Sequence, residues 1–205
     1  MRHGRGWIWV GVVAAVLPTR PARGQLLPFA VEGRAGAAGP LGELAQRYPA
    51  TPGPSFAVTA ELRLLPLVPL WGYLGYGEQR FRSRGAVDVD GDGVPDGRSH
   101  FEAAGYALGV RGALPSLLGL LPVVPWARLG VAQLRWSAEA DDAFVDSEPG
   151  TGWEAALGFD VRLAPGLHLV PGATVRHATV NLRNSRRARE TLQTWAAELG
   201  LRLAL

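Results

Sequence analysis

The chain contains no cysteine and no lysine. Without thiols there is neither a disulfide nor a thiolate-bound zinc or iron–sulfur site. Exported domains often rely on disulfides, whereas a closed barrel needs none. After residue 24 there is also no uninterrupted run of about 18 apolar residues, so no helix is available to span a bilayer. Only a β-barrel could carry this chain across a membrane. The lack of lysine makes arginine the base in any buried charge network.

The first 24 residues read as a cleavable export signal. Arg2 and Arg5 form a positive start, Trp7–Leu17 is apolar, Pro18 ends that stretch, and Ala22-Arg23-Gly24 offers small residues for cleavage. Four of the 21 basic residues (Arg2, Arg5, Arg20 and Arg23) lie in this segment, which leaves 17 against 18 acidic residues in the remainder. The overall basicity therefore gives no support to nucleic-acid binding. Residues 25–205 are expected to form one domain.

That domain alternates with period 2. From Trp195, the odd positions are Trp195, Ala197, Leu199, Leu201, Leu203 and Leu205, and the even ones include Glu198, Gly200 and Arg202. Residues 153–164 and 56–64 repeat the arrangement, and a helix would need a period near 3.6. Weaker versions at 27–37, 70–83, 100–113, 126–138 and 168–182 bring the expected total to eight strands. In 126–138 Leu129 and Val131 share one face while Leu134 and Trp136 take the other, for which a β-bulge near Ala132 is expected.

The connections alternate too. Residues 36–54, 84–99, 139–152 and 184–190 are longer and polar or rich in Gly and Pro, while Pro66–Pro69, Leu114–Pro125 and Pro165–Gly166 are shorter or more apolar. Long loops on one rim and short turns on the other match outer-membrane barrels. The apolar turn Leu114–Pro125 fits that scheme poorly. Phe56, Phe81, Phe101, Trp136, Trp153 and Trp195 are expected to form an outer aromatic band, and Trp71, Tyr73 and Trp126 an inner one.

On these strands, loops and the closing Leu201-Arg202-Leu203-Ala204-Leu205, residues 25–205 resemble the small eight-stranded outer-membrane barrels of the OmpA, OmpX and OmpW type. The family usually ends in an aromatic residue, where this chain has Leu205. The resemblance implies an all-β, antiparallel up-and-down barrel in the cell outer membrane. Its implied partners are the lipid bilayer and the outer-membrane assembly machinery, and its implied role is structural or binding.

Two constellations carry chemistry. Asp88, Asp90, Asp92, Val94 and Asp96 match the ligand spacing of acidic calcium loops, with Gly93 permitting the turn and the Val94 carbonyl as a ligand. Ser99 stands where such loops place a bidentate Glu. This segment is either a weak Ca2+ site or an acidic turn that needs no metal. The second constellation comprises eleven inward charges: Glu32, Arg34, Glu61, Arg63, Arg111, Glu154, Asp160, Arg162, Arg176, Glu198 and Arg202. They form either a paired plug or a polar conduit.

An enzyme would need a nucleophile, a His and an acid on the outer rim. His100 and His177, with Ser99 and Ser185, are the candidates, and no Ser–His pair has catalytic spacing. No catalytic residue is assigned. The rival readings are a lipid-modifying enzyme of the outer leaflet and a soluble secreted calcium-binding β-protein.

Overall fold

The computed structural model describes residues 28–65, 67–113, 123–141 and 143–205. The expected export signal, residues 1–24, and most of the apolar turn, residues 114–122, lie outside them. Eight long antiparallel strands form a ring: β1 (Phe29–Pro40), β3 (Gly53–Arg63), β4 (Leu70–Ala86), β5 (Arg98–Ala113), β6 (Val123–Glu139), β8 (Gly150–Ala164), β9 (Leu167–Arg183) and β10 (Arg189–Ala204). Closure is made by β1 and β10, in continuous register from Ala30↔Ala204 to Pro40↔Thr194. No edge of the ring is left open, which is how a sheet satisfies its backbone without water.

Three shorter elements belong to the loop end. Helix α1 (Gly42–Arg47) and strand β2 (Ala50–Thr51) connect β1 to β3. Strand β7 (Phe144–Ser147) continues the lane of β8, pairing with β6 through Ser137↔Asp146 and with β9 through Asp146↔Arg183. At the opposite end, β8 and β9 are joined by Pro165–Gly166, and Gly166 adopts φ 75°, a value L-residues rarely take.

The alternation has a direct physical outcome. Leu74, Leu108, Val131, Leu157 and Leu199 point outward and are more than half exposed, up to 64% at Leu108. A continuous apolar outer surface around a closed ring is what a bilayer solvates and water does not.

β6 corrects one expectation. Its register with β5 runs unbroken from His100↔Glu139 to Ala113↔Trp126, so there is no bulge near Ala132. Leu129 and Val131 face outward while Leu134 and Trp136 face the lumen. The inward residues simply change from polar to apolar along the strand, because the outer half of the lumen is itself apolar.

The aromatic bands are corrected for the same reason. Phe56 and Trp153 do face outward, at 57% and 44% exposure, whereas Phe81, Phe101 and Trp136 are buried inside. Of the expected inner band, Tyr73 and Trp126 are buried in the lumen, and Trp71 lies beneath the guanidinium of Arg202 at 4.6 Å. Position along a strand is therefore not enough to make an interfacial aromatic; the parity of the residue decides it.

Candidate functional site

The inner half of the lumen is an ion-pair lattice. Arg111 on β5 is its centre, donating to Glu61 of β3 at 2.8 Å, to Glu32 of β1 at 3.2 Å and to Asp160 of β8 at 2.7 Å. Arg202 on β10 reaches Glu61 at 2.8 Å. One layer outward, Arg34 pairs with Glu32 at 3.0 Å and with Glu198 at 3.1 Å, and Ser55 donates to the other Glu198 oxygen. Glu154 accepts from Arg176 at 2.8 Å and pairs with Arg128 at 3.0 Å.

These ten side chains, five arginines and five carboxylates, are all at most 8% exposed. The balance of sign matters, since an unpaired charge at this depth is costly. The planar guanidinium lets one arginine hold several carboxylates and still present a face to a ring. Arg111 lies over Trp126 at 4.6 Å and Arg128 over Tyr73 at 4.7 Å.

Of the eleven charges expected inside, nine join this lattice. Arg162 instead is exposed at the inner rim, just before a register shift, and Arg63 donates to the Leu65 carbonyl there. Arg128 is the lattice member that sequence reasoning missed. Its parity with Trp126 and Ala132 was available, but it was masked by the expected bulge.

The outer half of the lumen is closed by hydrocarbon. Phe81, Phe101 and Trp136 form a stack, with ring centroids 5.4 and 6.0 Å apart, and Leu134, Val180 and Leu192 surround it. The loop carrying α1 folds inward as a stopper, burying Leu44 and setting Tyr48 against Phe101 and Trp136 at 5.1 and 5.7 Å. Two charged contacts pin it. Arg47 at the end of α1 reaches both oxygens of the buried Glu190 at 2.5 Å, and the Tyr48 hydroxyl accepts from Arg187 at 2.7 Å while lying 3.5 Å from Glu190. Burial and the neighbouring Glu190 carboxylate push the Tyr48 hydroxyl up to about 12, so it stays neutral.

Arg187 also joins the acidic loop, donating to Asp88 at 3.0 Å. Asp88 closes that loop by accepting from the backbone of Gly91 and Gly93, at 2.6 and 3.1 Å, with both glycines at positive φ. The structure brings Asp88, Asp90 and Asp96 together, one carboxylate oxygen from each lying within 4.8 Å of the others. Asp92 is not in that group. It caps the Val94 N–H at 2.7 Å and faces Arg186 at 4.0 Å, and Val94 is exposed.

The same architecture recurs among solved structures. Neisserial surface protein A superposes with a TM-score of 0.61 at 17% identity, covering 85% of this chain and 96% of its own. A major outer membrane protein of Thermus thermophilus gives 0.56 at 18% identity, covering 87% and 98%. The outer membrane protein OprG of Pseudomonas aeruginosa gives 0.55 at 13% identity, covering 87% and 96%. The fold is that of the small outer-membrane β-barrels. By sequence, no protein-family model and no curated protein matches the chain.

In this barrel the candidate catalytic groups are not assembled. Ser99 and His100 are consecutive on β5, so Ser99 is buried in the lumen while His100 is exposed outside. His177 stacks on Trp153 at 5.7 Å and contacts Gln193 at 3.3 Å on the outer face. Ser185 donates to the Asp90 carbonyl at 2.7 Å.

Proposed function

We propose that the protein is an integral outer-membrane barrel with a structural or binding role, working through its external face and loops with a closed lumen. The observation that carries this reading is the double closure, ionic below and aromatic above, along one axis. A conduit needs a continuous watery path, and here each arginine and carboxylate of the lattice is already committed to a protein partner. Reconstituted into planar bilayers at high salt, the protein is expected to give no steady conductance. Discrete channel openings in most insertions, from material that shows heat-modifiable gel mobility, would overturn the closed reading.

The acidic loop supports a second, subordinate element of the proposal. Three convergent carboxylates fit a cation that takes oxygen ligands at about 2.3–2.6 Å. Because Arg187 already neutralises Asp88, calcium must compete with it, and the affinity belongs in the millimolar range of extracellular sites. At tenfold excess over its dissociation constant, calcium would then stabilise the protein by about 1.4 kcal/mol. The expected rise in unfolding midpoint disappears in Asp90→Ala and in Asp96→Ala, and a wild-type protein indifferent to calcium removes the site.

A further inference from the structure

The inner-rim turn between β3 and β4 has no polar side chain: residues 64–70 read Leu-Leu-Pro-Leu-Val-Pro-Leu. Leu64 and Leu65 are each 47% exposed, Val68 48% and Leu67 94%. A turn that meets water is normally built from Gly, Asn, Asp and Ser, and large aliphatic side chains held in water are unfavourable.

The outward residues of the strands show what this turn adds. Each outward apolar series starts from an aromatic ring, the residue type that marks the outer boundary of the hydrocarbon. On β8 the series runs from Trp153 to Leu163, and on β10 from Trp195 to Leu205. A strand tilted by about 40° gains about 2.5 Å of height per residue, so each of these series covers about 25 Å, the height of the apolar band in such barrels. On β3 the series passes from Phe56 through Val58, Ala60 and Leu62 to Leu64, and on β4 it runs from Tyr76 to Leu70. By the same rise these cover only about 20 and about 15 Å. Leu65, Leu67 and Val68 supply what the two strands lack.

The backbone of the turn is arranged to the same end. Pro66 and Pro69 bring no N–H. The Leu65 carbonyl accepts from Arg63 Nε at 3.2 Å. The carbonyls of Val68, Pro69 and Leu70 accept from the N–H groups of Leu70, Ala113 and Leu64 at 2.7, 3.0 and 2.9 Å. A water-facing turn has solvent for its carbonyls, whereas one set against lipid must satisfy them within the protein.

We infer that the β3–β4 turn is seated in the inner leaflet, with Leu65, Leu67 and Val68 against phospholipid hydrocarbon, so that this flank has no water-facing inner rim. The occupant follows from continuity, because the turn prolongs a belt that the bilayer covers. The inference rests on the membrane placement proposed above. The lack of cysteine makes its test direct. Leu67→Cys is labelled with an NBD fluorophore and reconstituted into vesicles of phosphatidylethanolamine and phosphatidylglycerol. Quenching is compared between acyl-chain nitroxides and iodide present on both faces of the membrane. Leu108→Cys, mid-belt at 64% exposure, and Val94→Cys, on the outer acidic loop at 61%, are the references. The label at 67 is expected to follow that at 108, with nitroxide quenching about threefold stronger than at 94 and iodide quenching about threefold weaker. Iodide quenching at 67 equal to that at 94 overturns the proposal. Shielding at 67 from both quenchers also overturns it, in favour of a contact between copies of the chain. A label at 108 that iodide reaches and the nitroxides do not would instead sink the membrane placement itself, and the proposal with it.

Discussion

Arg111→Met is expected to destabilise the barrel by about 3–5 kcal/mol, read from urea unfolding in lipid vesicles. Methionine fills a similar length of apolar stem, so the loss isolates the guanidinium. Arg111 holds Glu32, Glu61 and Asp160 at once. Its removal leaves Asp160 without an arginine partner and Glu61 with Arg202 alone. Asp160 is then buried without a compensating charge, while Glu32 and Glu61 keep one arginine each. Neutralising the stranded carboxylate in the same background, with Asp160→Asn, is expected to restore most of the stability, since the cost lies in uncompensated charge and not in a lost contact. Arg162→Met, exposed on the inner rim, is expected to change stability by no more than about 0.5 kcal/mol. Equal effects at Arg111 and Arg162 would refute the lattice.

Trp136→Ala is expected to cost about 3–5 kcal/mol, the range for truncating a fully buried large aromatic. Trp136 is 1% exposed, stacked on Phe101 and touching Tyr48 of the stopper loop. The cavity left would open beneath α1 and loosen the loop from below, so near-UV circular dichroism is expected to weaken along with stability. Trp153→Ala provides the contrast. Trp153 faces outward and packs mainly on His177, and its loss is expected to cost about 1 kcal/mol. The two tryptophans lie on neighbouring strands, one inside the ring and one outside, so the difference measures lumen against bilayer. Comparable losses would return Trp136 to an outer aromatic band.

This contrast also marks where sequence reading reached its limit. The strands were legible because a half-buried strand writes its two faces into alternating residues, as in Trp195–Leu205 and in 153–164. The loops were legible because Gly, Pro and Asp accumulate where backbone leaves the ladder. The charged lattice was legible in nine members, since a charge in phase with small residues and opposite leucines can only face the lumen. Arg128 was missed through its strand: Leu134 and Trp136 look like lipid-facing residues unless the lumen is known to be apolar at that height. Glu190 was missed because its partner, Arg47, lies in a loop whose inward fold no local pattern announces. In the acidic loop the spacing brought out five ligand positions, yet backbone capping turns Asp92 away and leaves Asp88, Asp90 and Asp96 together.

By itself, then, the sequence determined a chain of alternating strands with inward charges and an apolar exterior, because side-chain parity is a local property of extended backbone. Only the tertiary structure decided what fills the interior. Which arginine meets which carboxylate depends on pairing across the ring between residues as distant as Glu61 and Arg202. Whether an inward face can be apolar depends on what folds into the mouth from elsewhere, here Leu44 and Tyr48. Both are set by closure of the barrel, and closure is a property of all eight strands together.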